Sequence, residues 1–263
     1  MKQKITFALL GILAAGLVRA QAPAAAPAAA PAMSFTATGL FASQYMFRGQ
    51  RLGSAAFQPS VEGVAGDLTV GVWANFPFDG DKVPDSSDPE FDLYGSYTIS
   101  LGKDLSLVPG FTAYFYPSAP TSAGFYRSTY EPSLALNYTV EGVKFIPKVY
   151  YDFVLEGATW EISAAYAVPM KEIGSELGFT ATYGTYLLNE AANGASPSVK
   201  SWGNYWLVGL SMPFQISKES KVVLGLQYTE GSDAFTKQGN LGKSANTLAV
   251  GRGVGTIAYS LSF

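Results

Sequence analysis

The sequence predicts an all-β protein, a transmembrane barrel of twelve antiparallel strands, and three observations support this prediction. From Met33 onward, apolar and polar residues alternate with a period of two, which is typical of strands that have one apolar face. Charged residues make up only 14% of the chain, as do aromatic residues, whereas about a quarter of an ordinary soluble domain is charged. Residues 255–263 alternate in the same way and end on Phe263. A surface that faces lipid accounts for all three.

The N-terminus predicts export from the cytoplasm. Lys2 and Lys4 precede an apolar run over residues 5–18, and a cleavage site of small residues follows near Ala20, so residues 1–20 read as a secretory signal peptide. The run is shorter than the about 20 residues that a membrane-spanning helix needs. Residues 21–32 carry Pro at every fourth position and predict an extended Ala/Pro-rich linker, either a spacer or an arm that reaches toward the cell wall. Residues 33–263 remain for the barrel.

The net charge and the absence of cysteine limit which partners the protein can bind and how its fold can be stabilised. Removal of residues 1–20 takes away Lys2, Lys4 and Arg19 and changes the net charge from −3 to −6, which argues against a nucleic-acid partner. The chain contains no Cys, so no disulfide framework holds the fold. Its stability must come from strand hydrogen bonds and barrel closure.

Short and long polar segments alternate along the barrel sequence, as tight turns and longer loops do in such barrels. The predicted turns are 65–67, 102–104, 141–142, 171–175 and 216–220. The predicted loops are 49–55, 77–89, 118–124, 156–157, 189–200 and 231–245. Five turns and six loops separate twelve strands and bring both chain ends to one side. Prolines interrupt four predicted strands and lead us to expect β-bulges at Pro59, Pro109, Pro132 and Pro147.

The two faces of the predicted strands divide lipid contacts from lumen contacts. The apolar face comprises Phe57, Val61, Val70, Val72, Phe91, Leu93, Tyr97, Phe145, Val149, Tyr151, Trp160, Ile162, Tyr166, Phe179, Leu224 and Leu226. The charged residues of the other face, our candidates for the lumen lining or a constriction, are Arg48, Glu62, Asp92, Arg127, Glu131, Lys148, Asp152, Glu161 and Arg252. Either internal ion pairs close the lumen, or hydrated wall charges set an ion preference. We expect pairing for most of these residues.

Two short elements and the terminal residue carry a family resemblance. The elements are Tyr45-Met46-Phe47-Arg48-Gly49 near the mature N-terminus and Asp92-Leu93-Tyr94-Gly95. Together with Phe263 they resemble the Gcw_chp family of TorF-like porins, over most of the mature chain. The resemblance implies a bacterial outer-membrane barrel that passes small solutes, with Tyr45, Phe47, Arg48 and Gly49 as the matching positions and no catalytic residue. Phe263 resembles the signal read by the outer-membrane assembly machinery.

Arg48 is the candidate with two competing roles. We expect it at the outer end of the first strand, where its guanidinium group can fork onto a carboxylate across the lumen. In one role it belongs to a positively charged constriction that selects anions or carboxylated solutes. In the other it is a strut that ties the first hairpin to Glu62 or Asp92. The strut is favoured because a motif beside a turn usually fixes local geometry.

Enzymatic function is disfavoured by the residue types present. The chain has neither His nor Cys, so no Ser–His hydrolase site and no His-ligated metal centre can be built. A carboxylate pair such as Asp152 with Glu161 is the remaining acid–base arrangement, and a role as wall charges explains it equally well. The carboxylates of loop 78–89 lack the spacing of a defined calcium site, so we expect a solvated external loop and neither metal nor cofactor.

The sequence thus predicts an outer-membrane channel for passive or weakly selective diffusion of small hydrophilic solutes. The alternative is a closed-lumen structural or adhesive barrel whose external loops bind a partner. Loops 189–200 and 231–245 are the ones that we consider for folding inward, and the sequence leaves monomer and trimer open. An open or plugged lumen is the observation that separates the two functions.

Overall fold

The computed structural model describes residues 33–78, 89–119, 121, 126–189, 200–231 and 251–263. The predicted signal peptide (1–20) and linker (21–32) lie outside the described residues, as do the loop segments 79–88, 190–199 and 232–250. Within the described ranges, no helix has both the length and the apolar character needed to cross a membrane.

The described chain is almost entirely strand. The strands are β1 (Ser34–Ala42), β2 (Tyr45–Phe47), β3 (Gln50–Gly53), β4 (Ala56–Ala65), β5 (Leu68–Pro77), β6 (Glu90–Tyr97), β7 (Ile99–Ser100), β8 (Leu105–Phe115), β9 (Ser128–Val140), β10 (Val143–Asp152), β11 (Gly157–Met170), β12 (Ser175–Asn189), β13 (Lys200–Gln215), β14 (Ser220–Gly231) and β15 (Arg252–Ser262). A 3₁₀ turn, Lys171–Ile173, connects β11 to β12.

Twelve of these elements close into a barrel. Each wall strand pairs antiparallel with the next one along the chain, β6 pairs with β8, and β15 pairs with β1 to complete the ring. The two-residue strand β7 continues β6 along β8 and adds no position to the ring. The predicted twelve-stranded antiparallel barrel is therefore confirmed. Among the described residues, strands β2 and β3 pair only with each other, as a separate two-stranded sheet.

The five predicted tight turns lie at one end of the barrel, which we call the turn end; the opposite end is the loop end. At Glu141-Gly142 both residues have positive φ, 49° and 85°, which is the backbone of a two-residue type I′ hairpin and matches the twist of its strands. Short turns at one end and longer connections at the other reproduce the predicted alternation.

The outer surface is apolar, as the period-two pattern predicts. All residues assigned to lipid are exposed except Phe145 and Val149, which are half-buried. Phe263 is exposed on the same face, stacks on Phe35 with ring centroids 5.9 Å apart, and exchanges two backbone hydrogen bonds with it. The terminal residue thus belongs to the β1–β15 closure. A continuous apolar band of this kind is the surface of a membrane-spanning barrel.

The expected bulges at the four prolines are not present. The pairing of β9 with β10 keeps one register on both sides of Pro147, and β8 pairs with β9 without interruption through Pro109 and Pro132. Pro59 pairs with Gly39 in an unbroken register. Because each proline lacks only its own N–H donor, the ladder loses a single hydrogen bond and needs no extra residue. The described residues show one register shift, between Tyr45 and Met46 of β2.

The lipid-facing assignment predicts a depth-dependent cost for a charge. Val72 and Leu68 lie on the same outward face of β5 with similar exposure, 45% and 44%, but Val72 is at mid-strand and Leu68 is at the turn end. We expect Val72→Arg to lower the free energy of unfolding in lipid vesicles by about 2–4 kcal/mol, and Leu68→Arg by about 0–1 kcal/mol. Urea titration of both variants measures this. Equal losses would contradict the membrane orientation.

Candidate functional site

The segment between β1 and β4 folds into the barrel. We call residues 43–55, which contain β2 and β3, the inner hairpin. The sequence predicts a first strand that continues to Arg48; instead β1 ends at Ala42, and Arg48 lies at the tip of the inner hairpin. At its base, Ser43 exchanges hydrogen bonds with Gly255 of β15, and the Gln44 side chain donates to the carbonyl of Gly253.

The tip of the inner hairpin is a tight turn with Arg48 in an unusual conformation. Phe47 pairs with Gln50, and the two residues between them have positive φ, 48° at Arg48 and 75° at Gly49, which again is a type I′ turn. Glycine adopts such a conformation freely, whereas a residue with a Cβ pays about 1–2 kcal/mol. The contacts of the Arg48 side chain must offset this cost.

Arg48 forms a two-pronged ion pair across the lumen. Its Nη1 and Nη2 atoms each donate to one oxygen of the Glu131 carboxylate on β9, both at 2.8 Å. The two side chains are only 12% and 3% exposed. Tyr114 of β8 donates a further hydrogen bond of 3.0 Å to the same carboxylate. A buried, bidentate pair of this kind is geometrically specific, and loss of either partner leaves a charge without compensation.

Aromatic rings enclose the same guanidinium group. Its central carbon lies 4.7 Å from the ring centroid of Phe47 and 4.7 Å from that of Tyr150 on β10. The same Tyr150 ring also contacts a second cation: the ammonium group of Lys148 lies 4.4 Å from its centroid. Cation–π contacts therefore hold Arg48 in addition to its ion pair.

The other residues of the tip contact the opposite wall. A Cβ atom on Gly49 would lie 2.6 Å from the Cβ of Tyr205 on β13 and 2.7 Å from the carbonyl oxygen of Glu230 on β14, so only glycine fits at this approach. The Gln50 amide donates to the Tyr186 hydroxyl of β12 at 2.9 Å. The tip is thus in contact with both sides of the barrel.

The first strand of the inner hairpin contacts an acidic part of the wall. Tyr45 donates a 2.7 Å hydrogen bond to Glu90 and packs against Trp73, with ring centroids 5.7 Å apart. Tyr116, which directly follows β8, lies near the same carboxylates. Burial is the main cause that raises the pKa values of Tyr45 and Tyr116 well above their usual range, and the charges of Glu90 and Asp92 raise them further. Both phenols therefore stay protonated and can donate hydrogen bonds.

The inner hairpin crosses the lumen. Its contacts reach nine of the twelve wall strands: β5, β6, β8, β9, β10, β12, β13, β14 and β15. Few of these contacts are strand ladder bonds, because β2 and β3 do not join the barrel sheet. The lumen is therefore narrowed by a separate element, whose position depends on side-chain contacts.

The wall around the inner hairpin is lined by tyrosines that donate to carboxylates. Tyr150 and Tyr205 both donate to Glu161, and Tyr94 donates to Glu62 at 3.3 Å. The inner hairpin itself carries Arg48 and Arg51 and no acidic residue. A segment with two positive charges thus lies within a wall rich in carboxylates.

A small cavity with a mixed polar and apolar lining lies on the turn side of the Arg48–Glu131 pair. Its volume is about 70 Å³, which is large enough to hold water. Its polar lining includes Glu62, Tyr94, Thr112, Ser133, Asn137 and Lys148. Buried apolar packing in the described lumen is sparse: the larger cluster contains only Leu40, Ala42, Val223 and Ala258. Below the inner hairpin the barrel thus contains a cavity large enough for water, and many of the buried side chains in the described interior are polar or charged.

The structure brings together some of the predicted lumen residues. Arg48 and Glu131 form the ion pair, Asp92 faces the lumen near them, and Lys148 and Glu161 are directly opposed in the β10–β11 register. Glu62 lies closer to the turn end, at the cavity. The partner of Arg48 is Glu131, rather than Glu62 or Asp92 as expected for the strut, because the hairpin tip reaches past β4 and β6 to β9.

Three predicted residues lie at the loop end instead. Arg127 is exposed and precedes β9, and Arg252 begins β15 and donates to the carbonyl of Gly251. Asp152 accepts the backbone N–H groups of Val154 and Leu155, and so closes the turn after β10. Asp152 pairs with Gly157, four positions from the Lys148–Glu161 pair, or about 13 Å along the strand, so Asp152 and Glu161 form no carboxylate pair.

Several residues of the site were not predicted from the sequence. Glu90 and the wall tyrosines Tyr114, Tyr186 and Tyr205 were not among the candidates, because strand alternation alone does not show which wall residues an inner segment contacts. One available signal was the spacing of Phe47 and Gln50 around Arg48-Gly49, which suits a two-residue hairpin. A second was the absence of any acidic residue over 43–55.

Comparisons with known proteins agree with this architecture. The NanC porin matches with 10% identity and a TM-score of 0.53, over 86% of this chain and 98% of its own. The chain has the fold of outer-membrane porins. The KdgM porin matches at 9% identity and a TM-score of 0.51, over 88% of this chain and 99% of its own. An outer membrane channel from Pseudomonas putida F1 matches at 8% identity with a TM-score of 0.52, over 90% of this chain and 97% of its own. No protein-family model matches the sequence, and no curated protein does.

Proposed function

We propose that the protein is a constricted outer-membrane channel through which small hydrophilic solutes diffuse, with the inner hairpin as its constriction. The observation that carries this proposal is a lumen with many buried polar and charged side chains, narrowed by a folded segment rather than filled by an apolar core. Twelve strands enclose more room than the eight whose interior side chains alone can fill, so we expect water to have a path beside the hairpin. Its porin fold supports the same role.

The proposal includes the predicted surroundings and processing of the barrel. Residues 1–20 direct export, residues 21–32 form a periplasmic linker, and Phe263 is read by the assembly machinery before the barrel enters outer-membrane lipid. We assign the chain to the TorF-like porins on its Tyr45–Gly49 element, and no reaction, cofactor or metal to it. The separation of Asp152 from Glu161 supports a non-enzymatic role.

One observation favours the second candidate function, a closed structural or adhesive barrel. The inner hairpin touches nine wall strands, and a lumen that is sealed by these contacts would pass no solute. The two functions differ in one measurable property, which is permeability of the folded protein.

Conductance in planar lipid bilayers distinguishes these candidates. We expect refolded residues 21–263 to give discrete, reproducible current steps of small amplitude, because ions share the lumen with the inner hairpin. Vesicles that contain the protein should take up small uncharged solutes faster than larger ones. A folded protein that gives no steps, also after removal of the inner hairpin, would exclude the channel and leave the closed barrel.

A further inference from the structure

We propose that the inner hairpin is a voltage-sensing gate, in which Arg48 and Arg51 are the moving charges and the Arg48–Glu131 ion pair is the latch. This inference rests on the proposed channel function and adds its regulation. It predicts the polarity that opens the channel, the steepness of the response, and separate effects for the latch and for the charges.

The inner hairpin can leave the lumen without unfolding the barrel. Strands β2 and β3 form their own two-stranded sheet. Ala42 and Ala56 are paired neighbours in the β1–β4 ladder, so both ends of the hairpin start from one point of the wall. A rotation about the hairpin base therefore breaks side-chain contacts and a few hydrogen bonds at Ser43 and Gln44, whereas all twelve wall ladders stay intact.

The segment that would move is positively charged. Residues 43–55 carry Arg48 and Arg51 and no Asp, Glu or Lys. Both arginines are at or next to the tip, which is the part that would move furthest. A potential that is negative on the loop side pulls these positive charges outward and opens the channel, and the opposite polarity holds them in the lumen. Guanidinium groups keep their charge over the whole usable pH range.

Specific contacts hold the inner hairpin in its closed position. The Arg48 fork on Glu131, the Phe47 and Tyr150 rings, and the close approach of Gly49 define a single seat for the tip. Arg51 is different, because its Nε atom is buried without a hydrogen-bond partner in the described structure. In the described structure no ion pair ties Arg51 to a carboxylate, whereas Arg48 is paired with Glu131, so we expect the charge of Arg51 to contribute to movement in the field rather than to the latch.

The number of moving charges sets how steeply the ratio of open to closed channels changes with voltage. If both charges cross about half of the membrane field, the ratio of open to closed channels changes about 50-fold per 100 mV. Arg51→Gln removes one charge and keeps the latch, so the change falls to about 7-fold per 100 mV. Glu131→Gln keeps both charges and weakens the latch, so the steepness stays at about 50-fold while the open fraction at zero voltage rises about 30-fold or more.

The experiment records single-channel currents at both polarities for the wild-type protein, Arg51→Gln and Glu131→Gln, each inserted in one known orientation. The inference is supported if loop-side negative potential opens the wild type, if Arg51→Gln halves the logarithmic slope, and if Glu131→Gln shifts the curve without changing that slope. Currents that are equal at both polarities, or a slope that is unchanged in Arg51→Gln, overturn it.

A further variant separates this inference from the proposed function. Deletion of residues 45–53 removes both gating charges, so its channels should conduct at every voltage with no polarity dependence. A deletion variant that conducts beside a voltage-independent wild type overturns the gate and leaves the channel. If the folded deletion variant is silent, the channel function fails as well.

Discussion

Arg48→Glu is expected to make the channel prefer cations and to increase its conductance. The variant places a second carboxylate against Glu131, which is only 3% exposed, and removes the guanidinium group that compensates it. Loss of one partner from a buried, hydrogen-bonded pair costs about 2–5 kcal/mol, and repulsion between like charges adds to this. The tip therefore leaves its seat, and the lumen keeps an excess of carboxylates. Reversal potentials in a salt gradient measure the ion preference.

A charge swap provides the decisive control for this variant. In the double variant Arg48→Glu with Glu131→Arg, the two charges are exchanged and can pair again, so conductance should return toward the wild-type value. Arg127→Glu makes the same charge change at an exposed position before β9, and we expect little effect on the reversal potential. An unchanged reversal potential in Arg48→Glu would remove Arg48 from the constriction.

The wall of the barrel could be predicted because its information is local. Alternation with period two assigns each side chain to a face, and one residue such as Val72 reports its own orientation without reference to distant parts of the chain. The tight turns are also local, as Glu141-Gly142 shows with its two positive φ values. For this reason the strand count and the lipid face follow from the sequence, and even the four prolines change only single hydrogen bonds.

The inner hairpin could not be predicted in the same way, because its position depends on contacts between distant residues. Phe41 and Phe47 are six residues apart, so a single long strand would place both on the same face. The alternation over these positions is therefore the same for one long strand as for a strand followed by a hairpin, and it does not distinguish the two structures. What separates them is the Arg48–Glu131 pair, whose members are 83 residues apart. The type of partner, a carboxylate across the lumen, follows from the chemistry of arginine; the choice of Glu131 requires the closed barrel.

Removal of the inner hairpin is expected to have the largest effect on permeability. Deletion of residues 45–53 leaves Ser43, Gln44, Ser54 and Ala55 as a four-residue loop between the paired residues Ala42 and Ala56, a length that is common for β-hairpins. The barrel ladders are untouched, so the variant should refold with the same β-sheet circular dichroism. Because the element that crosses the lumen is gone, single-channel conductance should rise several-fold and larger solutes should enter vesicles.

A deletion of equal length at another loop tests whether the effect is specific. Residues 236–244 lie between β14 and β15, and their removal should leave the conductance steps near the wild-type size if the inner hairpin is the main constriction. Equal increases in both deletion variants would mean that the two segments obstruct the path together. An increase in the 236–244 variant alone would assign the constriction to that loop. Only a selective increase on loss of residues 45–53 supports the Arg48 tip as the narrowest point, because no wall residue moves in that variant.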